Sequence, residues 1–300
     1  MWQQYLEQIQ QGNTKAIARA ISLVENEVAG YEVLMQSLPF FSTPVIGITG
    51  PPGAGKSTLV DALIKHITDQ QKKVAVVCVD PSSPFNLGAL LGDRIRMSEW
   101  YNNENVYIRS LATRGSLGGL HPKIIEITDL LKAAPFDYII IETVGVGQSE
   151  IEIAGLADVT IVTVVPEGGD EVQTMKAGLM EIADIFVVNK SDRPGADEFV
   201  QYLKMMLAPA FHQKQVAIPV IKTIASQKEG ISNLYAAIQQ LILVDNNSAK
   251  EKRNWLLAEK AFHLIQQKRM ADINKADLKN KIEQTGADFN LYQFVKNYID

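Results

Sequence analysis

The chain alternates short apolar runs with stretches in which apolar residues recur at helical intervals. The runs are rich in valine and isoleucine, as in strands covered on both faces of a parallel sheet. They span residues 45–49, 74–80, 106–110, 138–142, 159–165, 185–189 and 220–223. Helical spacing follows the first run, and only residues 70–73 then precede the second run, which favours a parallel neighbour. Residues 41–245 are therefore predicted to form an α/β domain with a mostly parallel central sheet flanked by helices.

Helical patterns without strands flank this predicted domain. In residues 1–40, Asn13 stands where a helix N-cap is expected, and an apolar stripe follows at Ala16, Ile17, Ala20, Ile21, Val24 and Val28. In residues 246–300 a polar stretch comes first, and helical spacing then places one apolar face at Trp255, Ala258, Phe262 and Ile265. We expect an N-terminal helical segment and a C-terminal helical arm. Because an amphipathic helix buries its apolar face, the arm either folds back or contacts a second subunit.

The segment after the first run, GPPGAGKS at residues 50–57, matches a phosphate-binding loop between a strand and a helix. Glycines let backbone N–H groups surround phosphate oxygens, and the helix N-terminus adds a partial positive charge. Lys56 is expected to reach the β- and γ-phosphates. Nucleotide contacts are predicted at Gly50, Pro52, Gly53, Ala54, Gly55, Lys56, Ser57 and Thr58. The alternative is a glycine-rich strand–helix turn that binds nothing.

A second motif, NKSD at residues 189–192, indicates which base is bound. In guanine-nucleotide proteins such a loop contacts the base, and the Asp192 carboxylate accepts hydrogen bonds from guanine N1–H and the exocyclic amine. Adenine lacks this donor pair, and an unpaired buried carboxylate is costly, so GTP or GDP is predicted. Lys190 is expected to cover the base, Asn189 to tether the loop to the phosphate region, and Ala225 to offer its N–H to guanine O6. The alternative is a solvated turn.

Three carboxylates are candidates for a Mg²⁺ site beside the γ-phosphate. Asp80 and Glu142 end two apolar runs, where side chains face the ligand crevice of a parallel sheet, and Asp93 lies in a loop. Because Mg²⁺ prefers carboxylates, a hydroxyl and water, the predicted ligands are Ser57, Asp80, Asp93 and Glu142. Gly145 is expected to contact the γ-phosphate through its N–H. A role in capping the following turn is the alternative for the strand-end carboxylates.

Phosphoryl transfer is catalysed mainly by positioning and charge neutralisation, and we predict that Lys56, Glu142 and Asp93 contribute. Four basic residues are candidates for a further cation that neutralises charge during the transfer: Arg94, Arg96, Arg114 and Lys176. Gln148 is a candidate for orienting the attacking water. Spacing singles out none of these side chains, and each also fits a solvated surface.

The composition limits the class of protein and its cellular location. The 300 residues are 46% hydrophobic with a net charge of −5, which argues against a nucleic-acid surface. The single cysteine, Cys78, lies in the apolar run 74–80 and is predicted to be a buried thiol. The four histidines lack the spacing of metal ligands. No apolar run reaches the roughly 18 residues of a membrane span. The N-terminus has neither signal-peptide nor transit-peptide features, so a cytoplasmic location is expected.

Several long motifs together resemble the MeaB/ArgK-type GTPases. They are VDPSSPFNLGALLGDRIRM at 79–97, RGSLGGL at 114–120, ETVGVGQSE at 142–150, VVPEGGDEVQTMKAG at 164–178 and the NKSD motif. In this branch of GTPases a glutamate replaces the usual aspartate of the third nucleotide motif, and Glu142 occupies that position. The resemblance is close over residues 40–230. One local departure is LHPK at 120–123, which leaves open whether His121 or Lys123 contacts a partner.

The resemblance implies a homodimeric GTPase chaperone of an adenosylcobalamin-dependent acyl-CoA mutase, chiefly methylmalonyl-CoA mutase. Such proteins gate cofactor loading and protect or rescue the mutase. It also implies switch segments around residues 81–97, 143–150 and 165–176. Three alternatives remain: a nickel metallochaperone GTPase, a kinase linked to amino-acid transport, and a switch that binds GTP with little turnover. The scattered histidines and Cys78 provide no nickel site of the usual kind, and no acceptor pocket for a kinase stands out.

Overall fold

The computed structural model describes residues 2–39, 42–80, 97–113, 120–145, 149–166, 177–211, 218–243, 247–270, 272–285 and 289–298. Within them, seven strands form one sheet: β1 (Val45–Thr49), β2 (Val74–Asp80), β3 (Val106–Ala112), β4 (Tyr138–Glu142), β5 (Val159–Val164), β6 (Ile185–Val188) and β7 (Val220–Lys222). Their order is β3-β2-β4-β1-β5-β6-β7, and every neighbouring pair is parallel. The predicted fold class is confirmed.

The strand ends differ slightly from the sequence prediction. Strand β3 continues to Ala112, two residues beyond its predicted end, whereas β5, β6 and β7 each end one residue earlier than predicted. Asn189 and Thr223, the last residues predicted for β6 and β7, come directly after the strands. Each still donates a backbone hydrogen bond to the neighbouring strand, Asn189 N to Val164 O at 2.8 Å and Thr223 N to Val188 O at 2.9 Å. Their side chains also hydrogen-bond to each other.

The described residues include twelve α-helices. They are α1 (Trp2–Gln10), α2 (Thr14–Glu25), α3 (Tyr31–Ser37), α4 (Lys56–Asp69), α5 (Ile124–Lys132), α6 (Ser149–Leu156), α7 (Ala177–Ile182), α8 (Ala196–Phe211), α9 (Ile231–Leu243), α10 (Asn247–Arg269), α11 (Lys275–Thr285) and α12 (Leu291–Lys296). One apolar core contains side chains of α4 and α9 against the sheet. A second contains side chains of α6, α7 and α8 against β5 and β6. Both faces of the sheet are thus covered, which explains the apolar runs.

Glycine in β1 allows a helix to approach the central strand closely. A Cβ atom on Gly47 would lie 2.6 Å from Ile153 Cγ1 and 3.0 Å from the Ala157 Cβ, at the end of α6. The residues of β1 are all buried. The close packing of α6 therefore fixes the strand that carries the phosphate-loop sequence.

The N-terminal segment packs α2 against α5. The predicted cap is confirmed, since Asn13 Oδ1 accepts a hydrogen bond from Ala16 N at 3.0 Å. The predicted stripe is buried from Ala16 to Val24, but its inclusion of Val28 was wrong. Helix α2 ends at Glu25, so Val28 lies beyond the helix and its side chain is 42% exposed.

Two cationic side chains link this segment to the α/β domain. Arg109 of β3 contacts Glu25 Oε2 at 2.8 Å and Ser22 Oγ at 3.2 Å. Lys123, just before α5, contacts Glu27 Oε1 at 2.6 Å and Tyr31 Oη at 3.0 Å. Burial lowers the pKa of Lys123, but hydrogen bonds to Glu27 and Tyr31 and the charge of Glu126 raise it by more, so the net pKa is raised.

This arrangement accounts for the local departure at residues 120–123. His121 is 2% exposed and Lys123 is 6% exposed, and His121 Nδ1 accepts a hydrogen bond from Lys123 N at 3.0 Å. Both side chains are therefore used inside the chain: Lys123 contacts Glu27 and Tyr31 of the N-terminal segment, and His121 accepts the hydrogen bond from the Lys123 backbone.

The chain divides into two compact units, Met1–Arg253 and Asn254–Asp300. In the second unit, Lys281 Nζ donates to Tyr298 Oη at 3.0 Å, and the rings of Phe294 and Tyr298 contact each other at a tilt, with centroids 5.4 Å apart. Many of its large apolar side chains are exposed: Trp255, Leu257, Phe262, Ile265, Met270, Leu291, Tyr292 and Val295. None of the helices in the described parts of the chain combines the length and apolarity needed to cross a membrane.

Candidate nucleotide-binding site

The parallel sheet brings the predicted site residues to one edge. Parallel strands have their carboxyl ends at the same edge, and ligands of such sheets bind there. The phosphate-loop sequence follows β1, and Glu142 ends the neighbouring β4. Asp80 ends β2, on the far side of β4. Asn189 follows β6, and Ala225 begins a short 3₁₀ helix after β7.

The loop between β1 and α4 has the backbone conformation that its glycines permit. Gly55 has a φ of +86°, and a Cβ atom there would lie 2.4 Å from Asn189 Nδ2. A side chain at this position would therefore displace Asn189 as well as strain the backbone. Helix α4 begins at Lys56, and its N-terminal dipole favours a negatively charged ligand beside the loop.

The remaining loop residues differ in burial. Ala54 is fully buried, whereas Pro52, Gly53 and Thr58 are exposed. Lys56 is 7% exposed, and its Nζ donates to Gly50 O at 2.9 Å and Pro51 O at 3.1 Å. The ammonium group therefore lies across the loop, with its charge held at the place where phosphates are predicted.

Gly145 lies against this loop from the β4 side. It has a φ of +83°, and a Cβ atom on it would be 2.1 Å from Gly50 O and 2.6 Å from Lys56 Nζ. The segment after Glu142 thus contacts both the first residue of the loop and its lysine. This position is compatible with the predicted contact between the Gly145 N–H and a γ-phosphate.

Glu142 and Ser57 form a paired donor set beside the loop. Glu142 is 5% exposed, and its Oε1 accepts a hydrogen bond from Ser57 Oγ at 2.7 Å. Its Oε2 lies 3.9 Å from Cys78 Sγ, because the register of β2 and β4 places Cys78 directly beside Glu142. Cys78 is 1% exposed, so the predicted buried thiol is confirmed.

The pair also fits the metal that the sequence predicts. A hydroxyl and a carboxylate in direct contact are the oxygen donors that Mg²⁺ takes in proteins. Asp80 is half-buried at the end of β2, and its backbone carbonyl accepts a hydrogen bond from Thr113 N at 3.0 Å. Among the described residues, no group of three or more His, Cys, Asp or Glu side chains could hold a metal ion by itself.

Asn189 connects three loops of the site. Its Nδ2 donates to Ala54 O at 2.9 Å, which is the tether to the phosphate loop that the sequence predicts. Its Oδ1 accepts hydrogen bonds from Thr223 Oγ1 and Ala225 N, both at 3.1 Å. The Ala225 N–H, predicted to contact guanine O6, therefore donates to Asn189 in this structure.

The other two residues of the NKSD motif lie on the exposed side of this network. Lys190 Nζ donates to Gly53 O at 2.8 Å, which ties the guanine loop to the phosphate loop a second time. Asp192 is exposed in the turn before α8, where its carboxylate is accessible to a base.

Sequence reasoning missed three threonine hydroxyls that contribute to the site. The Thr223 hydroxyl fixes Asn189, and the buried hydroxyls of Thr49 and Thr143 hydrogen-bond to each other at 2.8 Å between β1 and β4. Polar residues at the ends of apolar runs were the available signal. Other predicted contributors fall outside the described residues: Asp93, Arg94, Arg96, Arg114, Gln148 and Lys176.

Comparison with known proteins agrees with this geometry. A model of the family described as methylmalonyl Co-A mutase-associated GTPase MeaB matches residues 17–281. A Pyrococcus horikoshii protein named as a GTPase is 43% identical over 269 residues, covering 87% of this chain and 84% of the relative. GTPase ArgK of Escherichia coli is 36% identical over 244 residues, covering 78% of this chain and 73% of the relative.

Two further relatives extend the comparison. The fused isobutyryl-CoA mutase of Geobacillus kaustophilus is 36% identical over 267 residues, which cover 83% of this chain and 24% of that protein. The crystal structure of an LAO/AO transport system kinase superposes with a TM-score of 0.69 at 25% identity, covering 99% of this chain and 95% of that one. The family match, over residues 17–281, spans all seven strands and the loops that form the site.

Proposed function

The chain belongs to the MeaB family of methylmalonyl-CoA mutase-associated GTPases, and we propose that it binds GTP and hydrolyses it to GDP and phosphate in a Mg²⁺-dependent reaction. The observation that carries the proposal is the Asn189 network. One side chain holds the phosphate loop, through Ala54, and the loop after β7, through Ala225. A nucleotide bound at this edge would therefore have its phosphates and its base placed by connected loops.

The described residues supply positioning and charge. Lys56 places a cation beside the loop in which phosphates would lie, and the Gly145 backbone lies next to that ammonium group. Because phosphoryl transfer depends mainly on orientation and on neutralising charge, these groups would stabilise the transferring phosphoryl group. Ser57 and Glu142 would hold Mg²⁺, which supplies charge neutralisation at the β- and γ-phosphate oxygens when it is bound. Asp80 would join them from the end of β2.

Base selection is proposed for Asp192. Its exposed carboxylate follows Lys190, whose side chain is held against Gly53. Accepting two hydrogen bonds from guanine favours GTP over ATP, because adenine presents no matching donor pair. Release of inorganic phosphate from GTP, with no release from ATP under the same conditions, would support this assignment. Transfer of the γ-phosphate to a small-molecule acceptor instead of water would favour a kinase.

We further propose that the client is an adenosylcobalamin-dependent acyl-CoA mutase, most readily of the methylmalonyl-CoA mutase type, in the cytoplasm. Two findings support this: the family description names that mutase, and a relative is itself a fused isobutyryl-CoA mutase. On this proposal the GTPase cycle gates cofactor loading and protects or rescues the mutase. The test is capture of purified methylmalonyl-CoA mutase and isobutyryl-CoA mutase in the presence of GDP or a non-hydrolysable GTP analogue. Binding that differs between the two nucleotides supports the proposal, and binding to neither mutase contradicts it.

We also propose that residues 246–300 form a dimerisation arm. Support comes from the exposed apolar side chains of the second unit, among them Trp255 and Phe262 at 73% and 59% exposure. Exposed apolar side chains in such number are typical of interaction surfaces. A homodimer would bury them symmetrically.

A further inference from the structure

Two buried threonine hydroxyls join the phosphate loop to the segment after β4. Thr49 ends β1 and directly precedes Gly50, and Thr143 directly follows Glu142. Thr143 Oγ1 donates to Thr49 Oγ1 at 2.8 Å, and Thr143 N donates to Ile48 O at 3.0 Å. The two side chains are 0% and 1% exposed, so this hydrogen bond is shielded from water.

The hydroxyl pair lies beneath the place where the two segments meet. Gly145, two residues after Thr143, is packed so closely on the loop that a Cβ atom would overlap Gly50 O and crowd Lys56 Nζ. The Thr49–Thr143 hydrogen bond and the packing of Gly145 on Gly50 are thus two neighbouring contacts between the same two segments, the phosphate loop and the residues after Glu142. Along the chain, Val144 alone separates Thr143 from Gly145.

We propose that the Thr49–Thr143 hydroxyl bridge positions Gly145 for a γ-phosphate, so that the protein distinguishes a nucleoside triphosphate from a diphosphate. The inference rests on the proposed nucleotide site and deepens it. Both threonines are positioning residues, because they act through Gly50 and Gly145. A hydroxyl suits this role since it both donates and accepts a hydrogen bond, whereas a methyl group of the same size does neither.

The test uses Thr49→Val, Thr143→Val and the double variant, since valine preserves the shape of threonine. Thr163→Val is the matched control. Thr163 is also fully buried, on the adjacent β5, and its Oγ1 has no hydrogen-bond partner among the described residues. Affinities for GDP and for a non-hydrolysable GTP analogue are measured with Mg²⁺ present, and a thermal melt checks the folding of each variant.

Because each single variant loses one neutral hydrogen bond, we expect its affinity for the triphosphate analogue to be weaker by about five- to tenfold. Its affinity for GDP should weaken by less than about twofold. The double variant should be no weaker than the poorer single variant, because both remove the same interaction. Thr163→Val should keep the wild-type ratio of the two affinities. Thr143→Ser, which retains the hydroxyl, should also keep that ratio. This variant can still be measured if the valine variants fold poorly.

Equal weakening for GDP and the analogue would show a purely structural pair and would overturn the inference. So would single losses that multiply in the double variant, or a changed ratio in Thr143→Ser. Failure of the nucleotide site itself gives a different result, because wild-type protein would then bind neither nucleotide.

Discussion

At the scale of single residues, the site depends on side chains that hold loops together. Asn189 makes hydrogen bonds to three segments, and Gly55 leaves the space that its amide group occupies. Asp192 is exposed, in the turn where the base is proposed to bind, and Lys56 is buried in the phosphate loop. Each of these positions can be tested by one substitution.

Replacing Gly55 with alanine is expected to weaken GTP and GDP binding together, by about tenfold or more, since the new Cβ would displace Asn189 and strain the loop. Nucleotide affinities measured by fluorescence titration check this. Gly195→Ala is the matched control, because Gly195 has a similar φ of +82° but no neighbour within 4 Å of the added Cβ. Equal effects of the two substitutions would show that backbone strain alone matters.

Replacing Asp192 with asparagine is expected to shift preference from guanine to xanthine nucleotides. Xanthine carries a carbonyl where guanine carries an amine, so an amide can donate where the carboxylate accepted. The ratio of GTP to xanthosine triphosphate affinities should fall by about tenfold or more, at the scale of a lost charge-assisted pair. An unchanged ratio would mean that another group contacts the base.

At the scale of elements, the N-terminal helices are fastened to β3 and α5 by charged groups. Arg109 and Glu25 form the more protected link, with side-chain exposures of 23% and 13%. Lys123 adds the second link, to Glu27 and Tyr31. Arg109 lies in β3, the strand at the opposite edge of the sheet from β7.

Glu25→Gln is expected to destabilise this attachment by about 1–3 kcal/mol, because it leaves the Arg109 charge without its carboxylate in a mostly buried position. Hydrogen exchange of amides in α2 should accelerate, while exchange in β1 should not change. Glu7→Gln, at an exposed position of α1, is the control. Unaltered exchange in α2 would show that apolar packing alone holds the segment.

Sequence patterns predicted the strands and helices far better than the side-chain contacts that join them. Strands buried on both faces have a local signature, and so do the glycine loop and the NKSD motif. The Tyr31–Lys123 hydrogen bond joins residues 92 positions apart, and the Thr49–Thr143 hydrogen bond joins residues 94 apart. No local periodicity encodes such pairings. The sequence therefore left open whether His121 or Lys123 contacts a partner, whereas in the structure Lys123 binds Glu27 and Tyr31, and both side chains are buried.

At the scale of the whole molecule, the free energy of unfolding is expected to fall in alkali because Tyr107 is buried. Burial raises the pKa of the Tyr107 hydroxyl to about 12, although nearby Arg109 lowers it. Between the unfolded and folded pKa values, the folded state keeps a proton that the unfolded chain has lost. Stability from this group is therefore fully present below about pH 10 and is lost as the pH rises towards about 12.

Tyr107→Phe should remove this part of the pH dependence. Between about pH 9 and about pH 11, the free energy of unfolding should fall by about 1.4 kcal/mol less in the variant than in the wild type. Urea unfolding at the two pH values measures the difference, with Tyr292→Phe, at an 87% exposed position, as the control. Identical pH dependence in Tyr107→Phe and wild type would contradict the expectation.

The most direct test of the whole account is a calorimetric titration of the protein with GTP and with ATP, each in the presence of Mg²⁺. The account predicts one GTP site per chain and an affinity for ATP that is lower by about a hundredfold or more, because a base-reading carboxylate finds no donors on adenine. Comparable binding of both nucleotides, or no heat of binding with either, would contradict it.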